Sequence, residues 1–306
     1  MDLSVIVVSY NTRELLRGCL ASVVSSVTSR LEYELLVVDN ASSDGSAAMV
    51  GEAFPQALLF VNSQNRGFAA ANNQAIRRSR GRRVILLNPD TVVREGALRV
   101  MVRFLDERPH VGVVGPRLLF PEGRFQHSAF TFPTLLMIFL DFFPLNHRLI
   151  NSRLNGRYPS SLYEAGKPFP IDHPLGAGLM VRREAIEEVG PLDEGFFMYC
   201  EEIDWCMRMK KAGWDVYCHP LAELVHYVGQ STRQFGEQMF VELHKSRYRL
   251  YEKHYSRAFF LAARRLVQVG LTYQSLQARW ESWRGRLDQG TLQERLRAYR
   301  QVRLLP

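Results

Sequence analysis

The sequence predicts an α/β fold, a doubly wound and mostly parallel sheet followed by a C-terminal helical extension. Three observations predict it. Short apolar runs alternate with segments of helical periodicity, polar clusters close each run, and arginine-rich amphipathic sequence takes over near residue 256. A chain of 306 residues suits one large α/β domain with a short addition. The domain is expected over residues 1–255, with halves at 1–115 and 116–255, and the extension over 256–306.

Leu3 to Ser9 is β-branched and apolar on both faces, as a buried strand of a parallel sheet requires, and Tyr10-Asn11-Thr12 ends it. Residues 13 to 27 place Leu15, Leu16, Leu20, Val23 and Val24 at helical spacing, and Glu34 to Val38 is again strand-like. The capping-rich run from Asp39 to Ser46 predicts a helix from about Ala47 to Ala53. Leu58 to Asn62 reads as a strand, Phe68 to Arg78 as a helix, Arg83 to Leu87 as a strand and Glu95 to Arg108 as a helix. Beyond these, Leu175 to Val181 reads as a strand, Glu201 to Ala212 as an amphipathic helix, and Val216 to Tyr217 and Leu224 to His226 as short strands.

Hydrophobic residues at 46% and charged residues at 23% describe an ordinary globular chain, neither disordered nor a membrane bundle. Cys19, Cys200, Cys206 and Cys218 form no C-x-x-C pair, which argues against a zinc ribbon or a disulfide framework and fits a reducing cytoplasm. Met1-Asp2-Leu3 leads straight into an apolar strand, so no secretion signal is expected. The apolar stretch Phe130 to Leu145 is broken by Pro133, Asp141 and Pro144 and is too short to span a bilayer. Most of the net charge of +8 sits in residues 257 to 306, where ten arginines face Glu281, Asp288 and Glu294. This extension is expected to lie on an anionic membrane surface, on the inner face of the cell membrane, or to serve as a solvated, homo-oligomer-forming appendage. It lacks a nucleic-acid reading motif, so no nucleic acid is expected.

Ligands of open α/β sheets bind beyond the carboxyl ends of the strands, where the clusters at Tyr10, Asp39, Asn65 and Asp90 fall. Asp90, in Asn88-Pro89-Asp90 at the abrupt end of a buried strand, suits either a divalent cation bridging donor phosphates or the cap of the following helix. Asp39 suits a base or ribose contact or an Asx turn. The stretch Asn65-Arg66-Gly67-Phe68 through Asn73 offers glycine for close backbone approach and small residues opening a helix, compatible with diphosphate or ribose contact. A second constellation holds Gly176 and Gly178, counted with the substrate-binding positions, then Glu201-Glu202-Ile203-Asp204-Trp205. Three acids within four positions make either a general base with a raised pKa or a charged helix N-terminus. His226 is either a neutral imidazole ligand or a structural histidine.

Taken together, Val5-Ile6-Val7-Val8-Ser9-Tyr10-Asn11, Val37-Val38-Asp39-Asn40-Ala41-Ser42-Ser43-Asp44-Gly45, Asn65-Arg66-Gly67-Phe68 and Asn88-Pro89-Asp90 resemble glycosyltransferase family 2, over about residues 3 to 255. The resemblance implies a GT-A type fold and rhamnosyltransferase-like sugar transfer. It implies an inverting, metal-dependent reaction from a nucleoside diphosphate sugar to a hydroxyl of a cell-surface glycan or lipid-linked precursor, with Mg²⁺ or Mn²⁺. Asp39 would then contact the base, Tyr10, Asn11, Asn65 and Gly67 would line the donor site, and Asp90 would end a D-x-D-like motif, with His226 near the metal. Asn88 departs from the pattern, replacing the first acid, and is expected to hydrogen-bond the donor sugar or ribose. Glu202 stands where the family's base is usually Asp, which leaves Asp204 a rival and assigns Glu201 to orienting the acceptor. These departures also admit a catalytically silent nucleotide-sugar or glycan-binding partner as the alternative.

Overall fold

A computed structural model describes residues 1–27, 31–143, 152–227 and 236–306. The chain clusters into two compact units that interleave along the sequence. One comprises Met1–Thr131, Tyr158–Phe197 and Glu201–Ser231, the other Phe132–Arg157, Met198–Cys200 and Thr232–Pro306. Every candidate site residue belongs to the first.

The first unit opens with strand β1 (Leu3–Ser9), helix α1 (Arg13–Ser26), β2 (Tyr33–Asp39), α2 (Ser46–Ala53), β3 (Leu58–Val61), α3 (Phe68–Ile76) and β4 (Arg83–Leu87). All seven residues of β1 are buried. Parallel partners β2 and β4 flank it, Val7 lying opposite both Val37 and Leu87. A short β5 (Thr91–Val93), α4 (Ala97–Glu107) and β6 (Val111–Leu119) follow. The small strands β7 (Phe125–Gln126) and β8 (Ala129–Phe130) lead on to β9 (Phe169–Pro170), β10 (His173–Pro174), β11 (Gly178–Arg182) and β12 (Asp215–His226). The main order is β3-β2-β1-β4-β11-β6-β12-β5. Inserted antiparallel between β4 and β6, β11 makes the sheet mixed.

Apolar faces of α1 and α4 cover one side of this sheet. Leu16, Leu20 and Val23 from the first helix and Leu98, Met101 and Leu105 from the second join Val5, Val7, Leu35, Val37 and Ile85 in one core. Desolvation of these side chains is the main force holding the sheet to its helices. All four cysteines are buried and none forms a disulfide, and burial pushes the Cys19 and Cys218 thiols up to about 12, so neither is a poised nucleophile.

Two short strands read separately at Val216 and Leu224 are one twelve-residue strand, β12. Its pairing with β6 shifts register between His219 and Glu223, around Pro220, which has no N–H to give the ladder. That bulge interrupts the alternating pattern and makes one strand look like two. The strand read from Leu175 begins at Gly178, because Leu175 bonds to Ser128 and Ala177 to Asn88 instead.

In the second unit, α5 (Leu135–Phe142) is capped by Thr134, whose Oγ1 accepts from the Met137 N–H at 3.2 Å. Its Phe142 packs where Gly270 has no side chain; a Cβ there would fall within 2.2 Å of the ring. The end of the apolar stretch, at Pro144 and Leu145, lies outside the described residues, as does the segment after Tyr227. No described helix is long and apolar enough to cross a membrane.

Candidate active site

The loops following β1 and β2 and the segment preceding α3 are tied together by side-chain amides. Asn40, almost fully buried, donates from Nδ2 to Asn65 Oδ1 at 2.8 Å and to the Gly67 carbonyl at 3.3 Å. Its Oδ1 accepts from Asn62 Nδ2 at 3.0 Å and from the Arg66 N–H at 3.1 Å. Asn11, at φ 52°, accepts from the Ser43 N–H at 2.8 Å, while its own N–H donates to Ser42 Oγ at 3.0 Å. Asn is among the residues that adopt this left-handed backbone most readily, and here its side chain is anchored across to Ser43.

Asp39, 1% exposed, forms the Asx turn read as one alternative: Oδ1 accepts from the Ser42 N–H at 2.9 Å. The other oxygen, Oδ2, is buried without a hydrogen-bond partner. A half-satisfied buried carboxylate is costly and calls for an explanation such as a ligand. The turn and the ligand contact are therefore compatible, one on each oxygen. Tyr10 and Asn65 are half-buried beside these loops. Gly67, at φ 81°, approaches the backbone of Phe197 so closely that a Cβ would stand 2.5 Å from its carbonyl oxygen.

Asn73 is placed differently. Its Nδ2 donates to the Leu192 carbonyl at 2.8 Å and to Glu194 Oε1 at 3.0 Å, and its Oδ1 accepts from the Leu192 N–H at 3.0 Å. The amide is occupied in holding the 192–194 loop. Gly178 lies inside the sheet, where a Cβ would meet Leu224 at 3.0 Å.

β4 ends where Asn88 donates its N–H to the Ala177 carbonyl at 3.0 Å, and its carbonyl accepts from the Thr91 N–H and Oγ1. This turn carries Asp90 onto β5, whose antiparallel pairing with β12 sets Thr91 opposite His226. His226 Nε2 stands 3.5 Å from Asp90 Oδ1, both residues being buried. That Oδ1 has no hydrogen-bond partner. The imidazole is held from behind by Gln126, whose amide nitrogen lies 3.1 Å from Nδ1, while Gln126 Oε1 is itself unsatisfied. A half-turn of the Gln126 amide exchanges its oxygen and nitrogen. With Oε1 turned to the ring, Nδ1–H donates to it and Nε2 presents a lone pair toward Asp90. An imidazole nitrogen and a carboxylate oxygen so arranged fit a divalent cation, and the nitrogen suits Mn²⁺ better than Mg²⁺. Among the described residues no cluster of three or more His, Cys, Asp or Glu could hold a metal. Asp90 and His226 would suit a cation whose shell is completed by phosphate and water rather than by a protein cage.

The three acids open helix α8 (Glu201–Lys211; α6, Ser160–Glu164, and α7, Arg183–Val189, precede it), and all are buried. Asp204 is committed: its Oδ2 accepts from Arg208 Nε at 2.8 Å, and Arg208 continues to the carbonyls of Val189 and Pro191. Glu201 Oε2 and Glu202 Oε2 are buried without partners. Burial pushes the Glu201 carboxyl well up, and the neighbouring Glu202 charge adds to it. Burial likewise raises Glu202 to about 7, against the backbone N–H groups at the helix start. Gly176 lies against it: a Cβ there would stand 3.6 Å from Glu202 Cδ, in van der Waals contact. Since Ala177 holds Asn88, the segment 176–177 joins the Asn88–Asp90 turn to the Glu202 carboxylate.

The structure thus gathers Tyr10, Asn11, Asp39 and Asn65 at one set of loops. It pairs Asp90 with His226 and sets Glu202 beside Gly176. Asn40 and Gln126 were not singled out by sequence. Asn40 lies in the Val37–Gly45 stretch, where a strand-end Asn between Asp39 and small residues is a usable signal. Gln126, in a two-residue strand, offered none.

Residues 4–190 match the family described as glycosyl transferase family 2. An N-acetylglucosaminyl-diphospho-decaprenol L-rhamnosyltransferase of Mycobacterium tuberculosis is 29% identical over 262 residues, 80% of this chain and 82% of that protein. A low-salt glycan biosynthesis hexosyltransferase of Haloferax volcanii is 26% identical over 248 residues, covering 79% and 73%. Among solved structures, a Pyrobaculum calidifontis mannosyltransferase in complex with GDP-Man and Mn²⁺ superposes with a TM-score of 0.58, at 19% identity, over 99% of this chain and 87% of that one. GalNAc-T7 with UDP, GalNAc and Mn²⁺ gives 0.59 at 15% identity, over 82% of this chain but only 48% of that one. These neighbours share the GT-A fold. With three-fifths of its length matched to the family and the strand-end loops, acidic turn and buried acids arranged as described, this chain belongs to glycosyl transferase family 2 and is a glycosyltransferase.

Proposed function

We propose that this glycosyltransferase transfers rhamnose or a similar hexose, with inversion and with a divalent cation, from a nucleoside diphosphate sugar to a hydroxyl of a cell-surface glycan or lipid-linked precursor. The observation that carries the reading is Glu202, a buried carboxylate with one unpaired oxygen and a pKa near 7, next to Gly176 on the segment that holds the Asn88–Asp90 turn.

A base titrating near 7 is matched to taking the proton of an attacking hydroxyl, and a single displacement needs no covalent nucleophile. The hydroxyl proton moves to Glu202 as its oxygen bonds to the anomeric carbon and the diphosphate departs from the opposite face. An α-linked donor then yields a β-linkage and a β-linked rhamnosyl donor an α-linkage. Glu201, whose carboxyl is also pushed up by burial, orients the acceptor or its neighbouring backbone. Asp39 Oδ2 accepts from the donor base or ribose, and Asn11 and Asn65 shape the loops around it. Asp90 and His226 would hold Mg²⁺ or Mn²⁺, which when bound supplies charge neutralisation to the leaving diphosphate. The rhamnose and lipid-diphosphate preference rests on the name of the Mycobacterium relative.

Thermal shift with nucleoside diphosphates and their sugars, with and without Mn²⁺, tests the donor site, since a ligand of the native state raises Tm. Stabilisation by one nucleotide is expected to require Mn²⁺ and to be lost in Asp90→Ala. Stabilisation by none of them overturns the reading, and stabilisation that ignores both Mn²⁺ and Asp90 overturns its metal part.

A further inference from the structure

The last two helices of the second unit are α10 (Arg257–Trp283) and α11 (Gln289–Arg303), which follow α9 (Gly236–His254). The side chains that α10 buries are Ala263, Val267, Leu271 and Ala278. Along another face it exposes Val269, Tyr273, Leu276, Trp280 and Trp283, spaced by threes and fours in one continuous stripe, with Leu261 two turns before it. Leu276 is 63% and Trp283 81% exposed, unusual for side chains that gain most by leaving water. Isolated apolar residues on a surface need no explanation, but a contiguous stripe does.

Beside the stripe, the two helices enclose a groove of about 700 Å³ lined by Arg279, Arg297, Arg300 and Arg303, with Thr272, Ser275 and Tyr299 among its neutral members and no carboxylate. Arg303 Nη2 reaches Thr272 Oγ1 at 3.3 Å and Ser275 Oγ at 3.2 Å, both neutral acceptors. Among the described residues none of the four makes an ion pair, whereas Arg295 on the same helix has Glu281. Four guanidinium groups sharing one groove repel one another, and anionic oxygens there would relieve the repulsion through paired N–H bonds. Arg284, stacked 3.9 Å above the Trp280 ring, carries positive charge to the stripe's own edge.

We propose that α10 and α11 form a seat for an anionic phospholipid surface, with lipid phosphates in the arginine groove and Leu276, Trp280 and Trp283 in the headgroup and upper acyl layer. Charge and apolarity side by side fit this occupant. Arginine meets phosphate and tryptophan prefers the interface, whereas a nucleic acid would leave the Leu and Val of the stripe in water. The helices lie on the bilayer and do not cross it. The seat is independent of the transfer chemistry, because it needs no donor, cation or acceptor.

Co-sedimentation of the full chain with vesicles tests it, comparing phosphatidylcholine alone with phosphatidylcholine containing phosphatidylglycerol, at low and at high salt. Binding is expected to the anionic vesicles only and to weaken as salt rises. Arg297→Glu with Arg300→Glu, and separately Trp280→Ser with Trp283→Ser, are each expected to weaken it by about tenfold or more. All four side chains are exposed or line the groove, and an unchanged circular dichroism spectrum and Tm verify folding. Equal binding to neutral and anionic vesicles, no binding, or binding indifferent to both double variants would overturn the proposal. So would a tighter, salt-sensitive hold on single-stranded RNA with no hold on vesicles. Failure here leaves the metal-dependent nucleotide shift of Asp90 untouched, and the reverse holds too.

Discussion

Two parts of the site treat buried polar atoms in opposite ways. In the loops between β1 and α3, where Asp39 Oδ2 is the exception, Asn40 makes four hydrogen bonds through its amide oxygen and nitrogen, and Asn11 and Asp44 bind their neighbours in the same manner. At the start of α8, Glu201 and Glu202 each keep a buried oxygen with no partner. A saturated group fixes the backbone, while an unsaturated one raises the free energy of the folded state and is retained where chemistry needs it. Asp204 belongs to the first kind although it sits among the second, because Arg208 takes its charge. His226 stands between the kinds, one ring nitrogen held by Gln126 and the other directed at Asp90.

Exchanging the kinds breaks this comparison most strongly at Glu202. Glu202→Gln is expected to lower kcat by about 10³-fold, the ordinary range for losing a general base, and to abolish the rise of kcat/KM with pH through about 7 expected of the wild type. Stability moves the other way. A carboxyl whose folded pKa is raised binds more protons folded than unfolded, so wild-type stability falls as pH rises from the ordinary carboxylate range through about 7. At pH 8, Glu202→Gln is therefore expected to melt higher than wild type. Asp204→Asn should instead lose about 2 kcal/mol by denaturant titration and keep the pH profile. If Asp204→Asn erased the pH limb and Glu202→Gln did not, their roles would be reversed.

Asn40→Ala carries the next largest effect. It strips partners from Asn62, the Arg66 N–H and Asn65 together and is expected to cost about 3 kcal/mol, seen as a lower denaturant midpoint with an unchanged slope. A loss below about 1 kcal/mol would show that the loops hold without it. The smallest effect is expected at Gln126→Leu, which keeps volume but frees the His226 ring. Mn²⁺ affinity, read by electron paramagnetic resonance titration in the presence of nucleoside diphosphate, should fall about tenfold with little change in Tm. An unchanged Mn²⁺ affinity would remove Gln126 from the metal reading.

Much of this was legible beforehand because it is local. β1, β2 and β4 announce themselves as apolar runs closed by polar residues, and α8 begins with Glu201 as its periodicity requires. Asp90 and His226, 136 positions apart, were each readable as a ligand or a structural residue, and only the antiparallel pairing of β5 with β12 sets them 3.5 Å apart. The bulge at Pro220 hid the length of β12 for the same reason, since a register shift is a property of two strands.

By itself, the sequence determined the strand-end positions of Asp39, Asn88 and Asp90, the run of three acids and the stripe of α10, since period and turn chemistry act within a few residues. Tertiary structure alone decided which acid is spent on Arg208 and which keeps a free oxygen, and that Asn73 serves the 192–194 loop rather than standing open. It also decided that four arginines of α10 and α11 share one groove. The reason is that burial and partnership arise from segments distant in the chain, and a carboxylate's protonation and availability follow from its surroundings rather than from its place in the sequence.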